Sequence, residues 1–221
     1  MGMLTRLWSF LRDGPFLLGG PDYHHFRKII ISTPRGTTEI DHLIVSKFGI
    51  FVVELKDYSG WIFGNASDAY WTATYFERKF RFQNPLRQNY GHVKALESFL
   101  GVDRRVVHSI VVFRGSFKFM TPIPDGVLCH EYRSWVASMR DVVLDDAAVS
   151  AIVESLQSNA KHGWLAGLRH ARSVRARYTS ETTCPKCGGD LQLRTQRNGP
   201  QPGSQFLGCS NYPVCRHTRS V

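Results

Sequence analysis

Short apolar segments separated by turn-forming residues dominate the first part of the chain. Between Phe26 and Phe82, segments rich in β-branched and aromatic residues are separated by Pro, Gly, Asn or Asp, which is the pattern of consecutive β-strands. The predicted strands are Phe26–Thr33, Glu39–Ser46, Ile50–Lys56, Trp61–Gly64 and Tyr70–Phe76. This part of the chain is therefore expected to build a β-sheet.

The hydrophobic pattern changes to a helical period after the last of these strands. Asn84 and Pro85 are typical of an N-cap and a first helical position, and Gly101 is typical of a C-terminal cap. The apolar stripe between them consists of Leu86, Tyr90, Val93, Leu96 and Leu100. A helix is therefore predicted between Pro85 and Gly101.

The remaining elements complete an α/β pattern. Val106–Phe113 predicts a buried strand, and Tyr132–Arg140 and Asp145–Asn159 predict helices. Strands, helix, strand and helices in this order indicate an α/β domain with a mixed central sheet and flanking helices, expected over residues 1–165. Charges interrupt the apolar stretch Met1–Gly20, which we interpret as an irregular or short helical cap instead of a signal peptide.

Four cysteines near the end of the chain predict a zinc site. Cys184 and Cys187 form one close pair, Cys209 and Cys215 form another, and 21 residues separate the pairs. Two such pairs supply the four thiolates of a tetrahedral structural site. Without an export signal the cysteines should be reduced, which favours zinc over disulfides. We expect a separately folded zinc ribbon over residues 182–221.

The net charge of +10 is concentrated at the C-terminal end. Residues 169–221 hold nine basic and two acidic side chains, which give a net charge of +7. The first 168 residues hold 19 basic and 16 acidic side chains, which give a net charge of +3. A small basic module suggests a polyanion partner, although a mere solubility tail is the plainer alternative.

Residues 166–181 are basic without apolar periodicity and are interpreted as a linker. No apolar run reaches the roughly 18–20 residues of a membrane span, so a cytoplasmic protein is expected.

Candidate chemistry lies in the predicted hairpin around residues 47–48. If these two residues form the turn, Asp41 lies directly across from Glu54, with Cβ atoms about 4.5–5.5 Å apart. Lys56 projects from the same face as Glu54 because side chains alternate along a strand. A three-residue loop would break this opposition unless a bulge at Gly49 restored it.

Two opposed carboxylates are suited to one hard divalent cation. Asp41 and Glu54 raise each other's pKa unless a cation lies between them, and oxygen ligands favour Mg²⁺ or Mn²⁺. Such an ion activates water and polarises phosphate, and Lys56 would orient the water or stabilise developing charge. The plainer alternative is an ordinary hairpin with a polar solvent face.

The predicted helix carries a further candidate pair. Gln88 and His92 lie one turn apart on one flank, and Gln88 could position water or phosphate; a solvated helix face is the alternative. His42 should point away from Asp41 and is interpreted as a sheet histidine.

Four motifs follow one another in the first part of the chain: Glu-Ile-Asp-His-Leu-Ile-Val at 39–45, Gly-Ile-Phe-Val-Val-Glu-Leu-Lys at 49–56, Gly-Trp-Ile-x-Gly at 60–64 and Asn-Pro-x-x-Gln-x-x-x-His at 84–92. In this order they resemble the NERD (nuclease-related) domain, which is similar to restriction-type endonucleases of the PD-(D/E)xK fold. The resemblance implies a restriction-endonuclease-like fold, metal ligation by Asp41 and Glu54, a catalytic Lys56 and an accessory Gln88.

This chain departs from the family pattern at one point. The family usually has a Gly-Glu pair on an opening helix; Gly20-Pro21-Asp22 is a poor substitute for it, and Asp13 is only a candidate. A missing third acid would weaken metal affinity, which motivates a non-catalytic alternative.

The cysteine-rich end resembles the C-terminal zinc finger of bacterial type IA topoisomerases. The matching runs are Cys-Pro-Lys-Cys-Gly-Gly-x-Leu at 184–191 and Gly-Ser-Gln-Phe-Leu-Gly-Cys-Ser-Asn-Tyr-Pro-x-Cys-Arg at 203–216. The resemblance implies binding of single-stranded DNA. Phe206 and Tyr212 offer rings for stacking, with packing around the zinc as the alternative, and Arg194, Arg197 and Arg216 can contact phosphates.

We therefore expect a DNA-processing protein, specifically a Mg²⁺- or Mn²⁺-dependent endo- or exonuclease directed to single-stranded or distorted DNA by its ribbon. The alternatives are a non-catalytic DNA-binding protein and an accessory to a topoisomerase. Stacking platforms accept either sugar, so an RNA substrate stays open.

Overall fold

The computed structural model describes residues 22–33, 36–129, 132–161, 164–180, 182–186, 189–198, 201–213 and 215–221. The predicted cap at Met1–Gly20 lies outside these residues. The strands are β1 (His24–Thr33), β2 (Gly36–Ser46), β3 (Gly49–Asp57), β4 (Gly60–Phe63), β5 (Tyr70–Tyr75), β6 (Arg78–Gln83), β7 (Val107–Arg114), β8 (Phe117–Phe119), β9 (Val127–Leu128), β10 (Leu191–Thr195), β11 (Gln205–Cys209) and β12 (Thr218–Ser220). The helices are α1 (Pro85–Leu100), α2 (Tyr132–Ser138), α3 (Asp146–Asn159) and α4 (Trp164–Thr179), with a 3-10 turn at Arg104–Val106.

The central sheet has the order β1-β2-β3-β7-β9. The first three strands are antiparallel, whereas β7 and β9 continue the sheet in parallel. The α/β class with a mixed central sheet, predicted from the sequence, is confirmed. We call residues 22–180 the N-terminal region and residues 182–221 the ribbon.

The central sheet is buried on both faces. On one face, Val93 and Leu96 of α1 and Ile152 and Leu156 of α3 pack against the sheet. On the other face, Tyr132 and Val136 of α2 cover it. Burial on both faces explains why β3 and β7 are almost continuously apolar.

A second sheet with the order β6-β5-β4-β8 packs beside the first. Its inner face contributes Ile62, Trp71 and Ala73, which contact Val111 and Phe113 of β7. β6, β8 and β9 were not predicted, because the first is mostly polar and the other two are very short.

Helix α1 is fixed to both sheets by two buried asparagines. The Asn84 side chain caps the helix by accepting from the Leu86 amide at 2.9 Å, and its Nδ2 donates to three carbonyls of the 65–68 loop. Asn89 donates from Nδ2 to the carbonyls of Val52 and Ile110. The predicted stripe is wrong at Tyr90, which is 41% exposed, because Asn89 and His92 occupy buried positions.

Most of the stretch interpreted as a linker, residues 166–181, has a regular helical conformation. It lies largely within α4, which packs beside β2, and Thr37 Oγ1 is 2.9 Å from Nδ1 of His170. The helix was missed because its basic residues conceal the small apolar contact at Ala166, which is 9% exposed.

The ribbon is a three-stranded antiparallel sheet in the order β10-β11-β12. Across the part of the chain that the structure describes, every helix is too short or too polar to cross a membrane.

Candidate active site and zinc centre

The hairpin between β2 and β3 has a two-residue turn. Ser46 pairs with Gly49, and the ladder runs to the pair of His42 with Val53. Gly49 has φ of +129°, and a Cβ there would lie 2.8 Å from the His108 ring, so glycine suits both the backbone and the space. One further step of this register places Asp41 opposite Glu54.

Asp41 and Glu54 line one cavity of about 780 Å³. The Oδ2 atom of Asp41 accepts a hydrogen bond from the Leu55 amide at 3.0 Å. Burial raises the pKa of Asp41 above its usual value, and the charge of Glu54 raises it further, against the smaller opposing effects of the Leu55 amide, Lys56 and His92. The two carboxylates are therefore close enough to repel each other.

Glu54 is held by two cationic or proton-donating groups. Lys56 Nζ is 2.6 Å from Oε1, and His92 Nε2 is 3.1 Å from Oε2. Burial pushes the pKa of Glu54 upward, but the hydrogen bonds and charges of His92 and Lys56 outweigh burial and bring this pKa below its usual value. Glu54, 2% exposed, is thus kept ionised.

Helix α1 supplies the other contacts of this cluster. Gln88 Oε1 accepts from Lys56 Nζ at 3.0 Å. His92 Nδ1 is 2.8 Å from Thr38 Oγ1. If the Thr38 hydroxyl donates a hydrogen bond to Nδ1, the ring proton lies on Nε2, which faces Glu54. The structure thus brings Asp41, Glu54, Lys56 and Gln88 together, and adds His92 as a direct neighbour of Glu54.

Other acidic residues near the hairpin differ in position. Glu39, two residues before Asp41 in β2, also lines the cavity, and strand alternation accounts for its placement. Sequence reasoning missed Glu39 although this period-two signal was available. Asp22 instead lies 3.6 Å from Lys47 Nζ at the hairpin turn, the end of the hairpin away from Asp41. Asp13 lies outside the described residues.

Three cysteines of the ribbon form a compact sulfur cluster. The Sγ atoms of Cys184, Cys209 and Cys215 lie within 4.8 Å of one another, and the Cys184–Cys215 pair is 3.7 Å apart. Zn–S bonds of about 2.3 Å in a tetrahedron place sulfurs about 3.8 Å apart, so the cluster fits zinc. Cys187, the predicted fourth ligand, lies outside the described residues.

The predicted DNA-binding residues of the ribbon fall into two groups. Tyr212, 58% exposed, Arg197 and Arg216 are open to solvent. Arg194 and Phe206 are a partly buried cross-strand pair, and Arg194 also donates to the Cys209 carbonyl at 3.2 Å. Arg194 and Phe206 therefore pack within the ribbon.

The ribbon and the carboxylate cluster share one cavity. Lys186 and Arg216 of the ribbon line the cavity that contains Asp41 and Glu54, and His170 of α4 completes the wall between them. Lys186 was not predicted as a site residue, because nothing in the sequence indicates that the first zinc knuckle faces the central sheet.

The donor chemistry of the cluster suits a hard cation. Two carboxylates face one cavity, and burial first and the charge of Glu54 second raise the pKa of Asp41. A divalent ion relieves such repulsion, and carboxylate oxygens are ligands that Mg²⁺ and Mn²⁺ accept. Asp41 and Glu54, with Glu39 nearby, are the residues that would hold it.

Two family models match this chain. Residues 6–114 match the Nuclease-related domain, and residues 181–221 match the Topoisomerase DNA binding C4 zinc finger. The matches confirm both resemblances predicted from the sequence. They associate the first part of the chain with nuclease-related function and the last part with DNA binding and structural zinc.

Several curated proteins share parts of this chain. An uncharacterized protein of Bacillus anthracis is 46% identical over 76 residues, which are 34% of this chain and 36% of that protein. The uncharacterized protein YrdD of Escherichia coli is 41% identical over 51 residues, 23% of this chain and 26% of its own length. DNA topoisomerase 1 of Methanocaldococcus jannaschii is 53% identical over 78 residues, 34% of this chain and 10% of the enzyme.

The matched segments are thus only parts of these relatives, about a third or less of each of the three. No solved structure matches the chain significantly.

Proposed function

We propose that this chain is a divalent-metal-dependent phosphodiesterase that acts on DNA, in which the ribbon holds a single-stranded or distorted segment beside the carboxylate cluster. One observation carries the proposal: Asp41 and Glu54 line the same cavity as the cationic Lys186 and Arg216. A phosphodiester between the two regions would meet carboxylates on one side and cations on the other.

Each residue of the cluster has a distinct role in this proposal. Asp41 and Glu54 would hold Mg²⁺ or Mn²⁺, which would polarise the phosphate and favour deprotonation of the attacking water. Lys56 is oriented by Glu54 and Gln88 through contacts of 2.6 and 3.0 Å. From that position its ammonium group stabilises negative charge on the phosphate oxygens or orients the attacking water.

His92 and Gln88 act as positioning residues. His92 lies against the second oxygen of Glu54, so it fixes the carboxylate and its ionised state without contacting substrate. Gln88 does the same for Lys56 from one turn earlier on α1. The buried Asn89, which donates to the Val52 carbonyl, fixes this helix against β3.

On the ribbon, Tyr212 offers a stacking surface, and Lys186, Arg197 and Arg216 contact phosphates. Structural zinc held by Cys184, Cys187, Cys209 and Cys215 maintains the ribbon. Four thiolates leave no open position on zinc, so the proposed hydrolysis belongs to the carboxylate cluster.

The test is a cleavage panel with the full zinc-loaded chain. Single-stranded, duplex and branched DNA and single-stranded RNA are incubated with Mg²⁺ or Mn²⁺. We expect cutting of a single-stranded or branched form, a loss of about 100-fold or more in Asp41→Asn since the reaction depends on metal ligation, and unchanged DNA binding in that variant.

Asp57→Asn is the matched control, because Asp57 ends the same strand β3 but is exposed and lies outside the cavity. Its cutting should equal that of the wild type. If the wild type cuts no nucleic acid under any of these conditions, the phosphodiesterase proposal fails and a DNA-binding protein remains.

A further inference from the structure

The outer face of the second sheet combines exposed aromatic rings with cations. Strand pairing sets Trp61 opposite Thr74 and Lys118, and sets Thr72 and Thr74 opposite Arg81 and Lys79. These positions alternate with the buried Ile62, Trp71 and Ala73, so they lie together on the side away from the core. We call this surface the basic aromatic face; it comprises Trp61, Phe63, Tyr70, Lys79, Arg81 and Lys118.

The charge on this face has one sign. Lys79, Arg81 and Lys118 are exposed, and the strand positions of β4, β5, β6 and β8 on this side, all within the described residues, carry no Asp or Glu. An ordinary solvated sheet face mixes both signs. A polyanion therefore complements this surface.

The rings of the face add a second requirement on the ligand. Trp61 is 56% exposed and Tyr70 is 40% exposed, although large aromatic side chains usually bury most of their surface. The Trp61 ring is open for a flat partner. Bases in single strands present such faces, whereas bases in a duplex are stacked on one another.

The face is continuous with the cavity of the candidate active site. Arg81 lies 4.9 Å and Lys186 lies 4.3 Å from the centre of the Tyr70 ring, and Lys186 lines that cavity. Gln83, the strand partner of Tyr70, lines it as well. A chain of cations thus leads from the sheet to the carboxylates.

From these observations we infer that the basic aromatic face binds the continuation of a single strand of nucleic acid whose scissile phosphate lies in the cavity. Trp61 stacks on a base, and Lys79, Arg81 and Lys118 contact the backbone. This inference rests on the proposed function for the placement of the scissile phosphate, but binding by the face is measurable without cleavage.

The test measures, by fluorescence anisotropy, the affinity of the full zinc-loaded chain for a labelled dT oligonucleotide of about 16 nucleotides. Trp61→Ala should weaken binding about tenfold, as loss of one stacking platform does, and Trp61→Phe should retain most of it. Lys79→Ala combined with Arg81→Ala should lower the salt slope by about 1.4, since each single-strand phosphate contact contributes about 0.7. A duplex of the same length should be insensitive to Trp61→Ala.

Phe80→Ala is the matched control, because Phe80 is 50% exposed on β6, two strands from Trp61, but pairs with the inward-facing Ala73. It should bind like the wild type. The inference is overturned if Trp61→Ala binds dT and rU oligonucleotides as tightly as the wild type, or if Phe80→Ala or duplex binding falls equally. If the wild type binds through Trp61 but cuts nothing, only the proposed phosphodiesterase activity is contradicted. If Trp61→Ala binds and cuts like the wild type, only the proposed binding by the basic aromatic face is contradicted.

Discussion

The N-terminal region buries hydrocarbon on both faces of a five-stranded sheet, whereas the described part of the ribbon buries sulfur. Ile29, Leu43 and Phe51 are completely inaccessible in the first, while Cys184 and Cys209 are the core residues of the second and Leu193 is 57% exposed. Apolar packing therefore stabilises the N-terminal region, and the metal ligands stabilise the ribbon. Perturbing each separately should therefore leave the other folded.

Loss of the zinc ligands should have the largest effect, because zinc contributes about 10–16 kcal/mol in small zinc modules. Cys209→Ser or chelation is expected to unfold the ribbon while β1 to β9 persist. Hydrogen exchange read by mass spectrometry resolves the two regions. Cys129→Ser, outside the sulfur cluster, is the control. If the ribbon amides stay protected from exchange without zinc, the claim that zinc stabilises the ribbon is contradicted.

Truncation of the apolar core should have the converse effect. Phe51→Ala removes a fully buried ring and is expected to cost about 3–5 kcal/mol. Chemical denaturation should show the loss for the N-terminal region, while zinc still binds the ribbon stoichiometrically. Phe76→Ala, at 88% exposure, should change stability little. Coupled loss of zinc binding in Phe51→Ala would show that the regions fold as one unit.

The buried His42 should make part of the stability of the N-terminal region depend on pH. Burial lowers the pKa of His42 from 6.5 to about 3, helped by the nearby His25 and Arg27. Because the folded pKa lies below the unfolded one, the folded state binds fewer protons, so stability is full above pH 6.5 and falls as pH drops toward 3.

His42→Gln should therefore lose less stability than the wild type on acidification, by about 2–3 kcal/mol between pH 7 and 4.5. The measurement is urea denaturation at each pH, with His24→Gln as the control. Parallel stability curves for the wild type and His42→Gln would contradict the lowered pKa.

The smallest effect is expected at the solvent side of the ribbon. Tyr212→Ala removes an exposed ring and should weaken single-stranded DNA binding about fivefold, the low end for one stacked base, without changing zinc affinity. Leu193→Ala, also exposed, is the control. Equal weakening by both variants would indicate a general surface effect instead of stacking.

Much of the N-terminal region could be predicted because local signals and tertiary packing agree there. The Asn84 cap, the Pro85 start and the Gly101 end all lie where the sequence indicates, and the hairpin turn at 47–48 sets the register. The cluster of Asp41, Glu54, Lys56 and Gln88 depends only on that register and on one docked helix.

What could not be predicted depends on long-range packing. His170 reaches Thr37 only because α4 packs beside β2, and Lys186 reaches Tyr70 only because the ribbon approaches β5. No periodicity in the sequence encodes that approach. The exposure of Trp61 could not be predicted either, because an aromatic residue in a strand ordinarily indicates a core position.

A calorimetric titration of the zinc-loaded chain with Mn²⁺ tests the central claim, that Asp41 and Glu54 share one hard cation, most directly. We expect one site in the wild type and in Asp57→Asn, and its loss in both Asp41→Asn and Glu54→Gln. Absence of Mn²⁺ binding in the wild type, or unchanged binding in the two cavity variants, would contradict the claim.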